Sequence, residues 1–266
     1  MFRSIAAEIR AAIQPLSGSI RGRQVIGVGA GGDHTVYVDS LAEEIAIRHL
    51  EEAYRSGLRF RLVSEELGER DFGGRELILV DPVDGSLNAK NGIPYYCVIL
   101  AAAEADRLDD VTLGFVSNLV NGDEFYAIKG AGAFRAGAPL RASAQATDGR
   151  FDLIQIDAPS PLSALEVARP LIGNSDRLRI LGSAGLNLCY TATGAIALQV
   201  APVPVRAFDL AGPLLILAES GGVATDLDGA PLGAVSTSLD SRTTVLASAS
   251  EAVHRRALSL LGRVKV

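Results

Sequence analysis

Apolar residues first recur at helical spacing. Phe2, Ile5, Ile9 and Ile13 share one face of a helix predicted over 2–14. A loop rich in glycine, Gly27 to Gly32, separates it from a second helix. Ser40 offers that helix an N-cap, Glu43 the capping-box residue, and Gly57 a stop. The pattern then shortens to strand-length runs at 60–63 and 76–80, an Asp/Pro/Gly turn, and a β-rich stretch at 95–103, 112–117 and 124–128. Over 136–151, small and polar residues displace the bulky apolar ones. This predicts a boundary between an N-terminal α+β domain, 1–140, carrying the candidate chemistry, and a C-terminal α/β domain, 141–266. In the second half, strands predicted at 153–156, 178–181, 195–200 and 244–247 alternate with helices at 161–171, 186–193, 210–220 and 251–261.

Composition narrows the function classes. With 25 basic against 31 acidic residues the net charge is −6, whereas a nucleic-acid binder would carry a basic face. No run reaches the roughly 18 apolar residues of a membrane span. Arg3, Glu8 and Arg10 interrupt any secretory apolar stretch at the N-terminus, so the expectation is a soluble, cytoplasmic protein. Cys97 and Cys189 form no CxxC pair and read as small buried hydrophobes. His34, His49 and His254 lack zinc-ligand spacing.

The densest chemical signal is Asp81-Pro82-Val83-Asp84-Gly85-Ser86, directly after the apolar run Leu77-Ile78-Leu79-Val80. Pro82 is predicted to stop the strand's ladder and Gly85 to relieve the turn. Two carboxylates, backbone carbonyls and a hydroxyl would then project from one strand end, the oxygen-rich setting that hard divalent cations take. The same residues also make an ordinary polar turn. Three further segments bear on the choice. Glu65 lies just past the strand at 60–63, and reaches the aspartate turn if those two strands are neighbours. Asp209 opens a predicted helix and Asp39 precedes another; taken alone, each reads equally as a helix cap.

Together these segments resemble the inositol monophosphatase and fructose-1,6-bisphosphatase superfamily over nearly the whole chain. The first motif is Asp81 to Ser86 followed by Asn88. The second is Phe208-Asp209-Leu210-Ala211-Gly212 with Glu219-Ser220-Gly221-Gly222. Ser64-Glu65-Glu66-Leu67-Gly68, Gly92-Ile93-Pro94-Tyr95-Tyr96, Gly122 to Gly130 and Leu181-Gly182-Ser183-Ala184 are similar to the archaeal-type branch, which acts on inositol phosphates and fructose 1,6-bisphosphate. The resemblance implies a layered αβαβα sandwich, a homodimer, and hydrolysis of a small phosphorylated polyol or sugar.

It further implies two or three Mg²⁺ ions, with Mn²⁺ able to substitute, held by Glu65, Asp81, the Val83 carbonyl, Asp84 and Asp209. Glu65, Ser86 and Asp39 would serve catalysis, Ser86 through the hydroxyl that orients the attacking water. Gly85, Ser86, Gly182, Ser183, Ala184 and Arg206 would contact phosphate or substrate. Water is the implied nucleophile, so neither a reactive cysteine nor a Ser-His-Asp triad is expected. Two departures matter. Pro202 stands where the animal inositol enzymes carry a glutamate for inositol hydroxyls, which argues against strict inositol specificity. The glycine loop lacks their lysine, and Asp33 is only a shifted candidate for a metal contact. Two other readings stay open: a 3′-phosphoadenosine 5′-phosphate nucleotidase, although Leu87-Asn88 replaces its lysine-glycine pair, and a non-catalytic metal- or phosphate-binding scaffold.

Overall fold

The computed structural model describes residues 1–32, 34–143 and 149–262. In chain order the elements are α1 (Phe2–Ile13), β1 (Val25–Val28), β2 (His34–Val36), α2 (Tyr37–Arg55), β3 (Arg61–Ser64), β4 (Gly68–Asp71), β5 (Leu77–Asp84), α3 (Ser86–Asn91), β6 (Cys97–Ala103), β7 (Val111–Asn118), β8 (Glu124–Ile128), β9 (Gly132–Arg135) and β10 (Ala138–Leu140). There follow β11 (Phe151–Ile156), α4 (Pro161–Gly173), β12 (Ser175–Arg179), α5 (Ala184–Ala192), β13 (Leu198–Arg206), α6 (Ala211–Ser220), β14 (Val223–Thr225), β15 (Arg242–Ser248) and α7 (Glu251–Leu260).

Period-2 alternation explains the layers. Along β6, Val98 and Leu100 point to an outer core shared with Ile5, Ile9, Ala42 and Leu50 of α1 and α2. Cys97 and Ile99 point the other way, into a core shared with Leu186 and Leu188 of α5 and Ile216 and Leu217 of α6. Val245 and Ala247 of β15 close that inner core from the far side, while Leu246 faces outward against Val253 and Ala257 of α7 and Ala164 and Ala168 of α4. The molecule is therefore α1/α2, a sheet, α5/α6, a second sheet, and α4/α7: the expected αβαβα sandwich.

The first sheet has eight strands in the order β10-β9-β8-β7-β6-β5-β3-β4, the second five in the order β12-β11-β13-β15-β14. The pairing that matters most is β3 with β5. They run parallel, Ser64 opposite Val80, so their carboxyl ends lie side by side. Parallel strands covered on both faces explain why Leu77-Ile78-Leu79-Val80 is apolar without alternation.

Several sequence expectations shift. β5 does not stop at Pro82; it runs to Asp84, and its register against β6 slips between Asp81 and Asp84. The irregularity leaves Pro82 without a ladder bond to donate, which is how a proline survives inside a strand. α2 starts three residues before Ser40, so neither Ser40 nor Glu43 caps it. Asp39 sits in its first turn instead, accepting from the Val36 N–H at 3.2 Å. The predicted strands at 178–181 and 195–200 are β12 and β13, displaced toward 175–179 and 198–206. Part of the predicted glycine loop pairs as the β1–β2 hairpin.

Candidate active site

Glu65 follows β3, and its backbone N–H donates to the Val80 carbonyl at 3.2 Å. The parallel pairing therefore sets Glu65 beside Asp81, as the sequence required of neighbouring strands. Asp84 closes β5. Asp209 arrives from the other half of the chain, in a single 3-10 turn over Phe208–Leu210 that joins β13 to α6. It is not a cap: no side chain caps α6, and the Asp209 carboxylate instead accepts from Arg206 Nε at 2.9 Å.

Asp81 is buried, and burial pushes its carboxyl well above the ordinary range, reinforced by Glu65, Asp209 and Asp84 around it. Burial likewise raises Glu65 and Asp84, and lifts Asp209 to about 6 with Arg206 working in the opposite direction. Four acids from three segments thus share one desolvated volume. Two of their oxygens, Asp81 Oδ2 and Asp209 Oδ1, are buried without a hydrogen-bond partner. A buried carboxylate oxygen left unpaired is costly unless a cation or a proton meets it.

Arg206 brings a positive charge into contact with this cluster. Its Nη1 pairs with Glu65 Oε1 while its Nε holds Asp209, and its side chain is 17 % exposed. Burial works against its charge, but Asp209, Glu65 and Asp81 more than offset that and hold its pKa above the ordinary value. Arg206 is thus no surface arginine; it spans the acidic cluster. In this arrangement, no three His, Cys, Asp or Glu side chains among the described residues stand as a ready-made metal site.

Asp84 is treated differently from its neighbours. Its Oδ2 accepts from Ser183 Oγ and from the Gly185 N–H at 2.8 Å, its Oδ1 from the Ala184 N–H at 3.2 Å, and the Cys97 thiol lies 3.3 Å from Oδ2. The start of α5 therefore grips it. Asn88 makes that approach possible: its Nδ2 donates to the Tyr95 carbonyl at 2.8 Å and to the Leu181 carbonyl at 2.7 Å, tying α3 to the 181–184 segment. Gly85, at φ +89°, completes the packing. A Cβ there would stand 3.0 Å from the Gly182 carbonyl, so only glycine fits both the space and the left-handed backbone. Ser86 opens α3 beside it.

Asp39 joins the cluster from α2. Its Oδ1 is buried and unpartnered, and burial, with Glu66 and Glu65 nearby, raises it to about 7. Sequence reasoning missed Glu43, one turn further along the same face. Glu43 is buried, accepts from Ser64 Oγ at 2.6 Å and the Leu67 N–H at 3.2 Å, and is raised to about 7, chiefly by burial. The signal was available, since Asp39 and Glu43 are spaced to share a helix face. Also missed was Asp157, just after β11, a carboxyl that burial raises. Asp33 lies outside the described residues. Pro202 falls in an irregular stretch of β13, between Ala201 and Val205.

The chain is similar to known proteins over nearly its whole length. A profile of the inositol monophosphatase family matches residues 4–264. A fructose-1,6-bisphosphatase/inositol-1-monophosphatase of Archaeoglobus fulgidus is 34% identical over 97% of this chain and 96% of its own length. One of the same description from Methanothermobacter thermautotrophicus is 32% identical over 97% and 94%. A bifunctional NADP phosphatase/NAD kinase of Methanococcus maripaludis is 28% identical over 98% of this chain but 49% of its own. Among solved structures, one described as an inositol monophosphatase-fructose 1,6 bisphosphatase superposes with a TM-score of 0.81 at 29% identity, covering 97% of this chain and 96% of that one.

Proposed function

The chain is a phosphatase of the inositol monophosphatase family, and from that premise we propose that it is a Mg²⁺-dependent hydrolase of inositol monophosphate, fructose 1,6-bisphosphate or both. The observation that carries the reading is the convergence of Glu65, Asp81, Asp84 and Asp209 with two buried oxygens unpaired. An all-oxygen donor set of this kind fits a hard divalent ion. Glu65, Asp81, the Val83 carbonyl, Asp84 and Asp209 would hold it, and Mn²⁺ would substitute. When bound, Mg²⁺ supplies neutralisation of phosphoryl charge and activation of water.

The chain's own groups supply position. Gly85 and Ser86 present backbone N–H groups to the phosphate, and the Ser86 hydroxyl orients the attacking water, with Asp39 supporting that side of the site. Gly182, Ser183 and Ala184, drawn in by Asn88, line the alcohol side. Asp84 stands where the two sides meet, gripped by α5 and facing the acids. Phosphoryl transfer asks the protein for placement and electrostatics rather than covalent work, which is what these carboxylates and N–H groups supply.

A second reading has its own support: the relatives described as NADP phosphatase/NAD kinase match over nearly this whole chain, which favours a nucleotide phosphate as substrate. Phosphate release from inositol 1-phosphate, fructose 1,6-bisphosphate, NADP and 3′-phosphoadenosine 5′-phosphate, with and without Mg²⁺, separates these. We expect Mg²⁺-dependent turnover of the first two. A preference for either nucleotide by roughly a hundredfold in kcat/KM would replace this reading with the second. Background release throughout would leave a binding scaffold. The described residues contain no helix long and apolar enough to cross a membrane. A cytoplasmic location and a homodimer belong to the same proposal, the dimer to be checked by light scattering.

A further inference from the structure

The geometry points to Arg206 as a resident competitor for the metal: its guanidinium occupies one oxygen on each of two carboxylates proposed to hold a divalent ion, and so sets how tightly that ion binds. The inference rests on the metal reading above and goes further, since it assigns this chain a built-in cation that must yield. Arg206 ends β13, three residues before Asp209, so Nε reaches Asp209 Oδ2 at 2.9 Å within the same turn. Nη1 pairs with Glu65 Oε1 on the other sheet. One planar fork thus spans two candidate ligands drawn from the two halves of the chain, a geometry that arginine's rigid donors suit and lysine's single ammonium does not.

The surroundings hold the fork in place. The glycine loop folds over it: Gly31 donates to the Glu65 carbonyl at 2.8 Å, and a Cβ on Gly31 would come within 2.9 Å of Arg206 Nη1. Meanwhile Asp81 Oδ2 and Asp209 Oδ1 stay unpaired, so the guanidinium answers only part of the cluster's charge. A divalent ion brings twice the charge in a smaller volume and can meet those oxygens, but to use Glu65 Oε1 and Asp209 Oδ2 it must first displace the fork. When the competent state of a site is only fractionally populated, apparent affinity falls by that fraction.

The test is Mn²⁺ binding to protein stripped with chelator, followed by electron paramagnetic resonance and by calorimetry, for wild type, Arg206→Gln and Arg206→Lys, each checked for fold by circular dichroism. Arg206→Gln is expected to bind Mn²⁺ about tenfold more tightly than wild type, as removal of the competitor requires. Without metal it is expected to melt about 5–10 °C lower, because the carboxylates lose their buried partner. Arg206→Lys keeps the charge without the fork and should fall between the two in affinity; should the glutamine variant fail to fold, the lysine variant alone decides. Equal or weaker Mn²⁺ binding by a folded variant, with wild type binding, overturns this inference and leaves the metal reading standing. Absence of Mn²⁺ binding in wild type and variants alike overturns both.

Discussion

The molecule buries carboxylates at the ends of its two large sheets, on opposite terms. At the eight-stranded sheet, Glu65 and Asp81 face each other and Asp209, and buried oxygens go unpaired. At the five-stranded sheet, Asp157 follows β11 into a nest of amides. Its Oδ1 accepts from Asn187 Nδ2 at 2.9 Å and more weakly from Gln155 Nε2 at 3.4 Å, and its Oδ2 from Gln199 Nε2. Burial raises Asp157 to about 7, with Asp84 contributing and the amides opposing. A raised carboxyl therefore does not by itself mark the chemistry. What separates the regions is the company: acid against acid leaves charge for a ligand to answer, whereas acid against amides is answered within the chain.

The same substitution should accordingly have opposite consequences in the two places. Asp81→Asn removes a charge that its neighbours oppose. We expect turnover with Mg²⁺ to fall roughly 10³-fold, since several kcal/mol of charge stabilisation are lost. In chelator, however, the variant should melt roughly 3–6 °C above wild type, because an uncompensated buried acid has gone. Asp157→Asn turns an acceptor into a donor facing amide donors. It should cost about 1–2 kcal/mol of stability and leave kcat within about threefold. Paired urea titrations and kinetics check this. Loss of stability in both variants, or of activity in both, would erase the distinction.

Much of the first region was legible in the sequence. A four-residue apolar run into Asp81 announces a covered strand end, and Glu65 needed only the β3–β5 pairing, which forms because β4 turns back along the outer edge of β3 and leaves its inner edge for β5. The αβαβα order came from the resemblance carried by the two motifs, not from periodicity. Pro82 misled because propensity speaks of regular ladders, and the register slip beside β6 removes the bond it cannot donate. Ser40 misled because two caps competed and the one nearer the site won: α2 begins early enough to bring Asp39 and Glu43 onto the buried face. The second region was not legible. Asp157, Asn187 and Gln199 lie on three elements, and nothing local to any of them signals a partner.

Glu43 tests whether an acid can belong to both regimes. It is gripped by donors, Ser64 Oγ and the Leu67 N–H, yet Glu66 and Glu65 stand nearby and it is raised to about 7 from 4.5. A raised carboxyl binds more protons folded than unfolded, so stability is full below the unfolded value and drains as pH climbs through the folded one. Over the window from 4.5 to about 7, this group should remove up to about 3 kcal/mol. Glu43→Gln keeps an acceptor for Leu67 and cannot ionise. Unfolding free energies at pH 5 and pH 8 should therefore differ less in the variant than in wild type. An equal pH dependence would place the penalty on other acids.

The smallest effects should come where the two regimes touch, at Asp84. Of its four donors, the Ser183 hydroxyl also accepts from the Leu186 N–H at 3.4 Å and so caps α5. Ser183→Ala should cost about 1 kcal/mol in stability and roughly tenfold in kcat/KM as the Asp84 carboxylate loses its hold. Cys97→Ala removes only a weak thiol donor at 3.3 Å, with the Ala184 and Gly185 N–H groups left in place. It should change kcat/KM by less than about threefold. If the cysteine variant lost as much as the serine variant, Asp84 would be held by packing against the β6 side rather than by donors from α5, and the contrast between the two sheet ends would need redrawing around that strand.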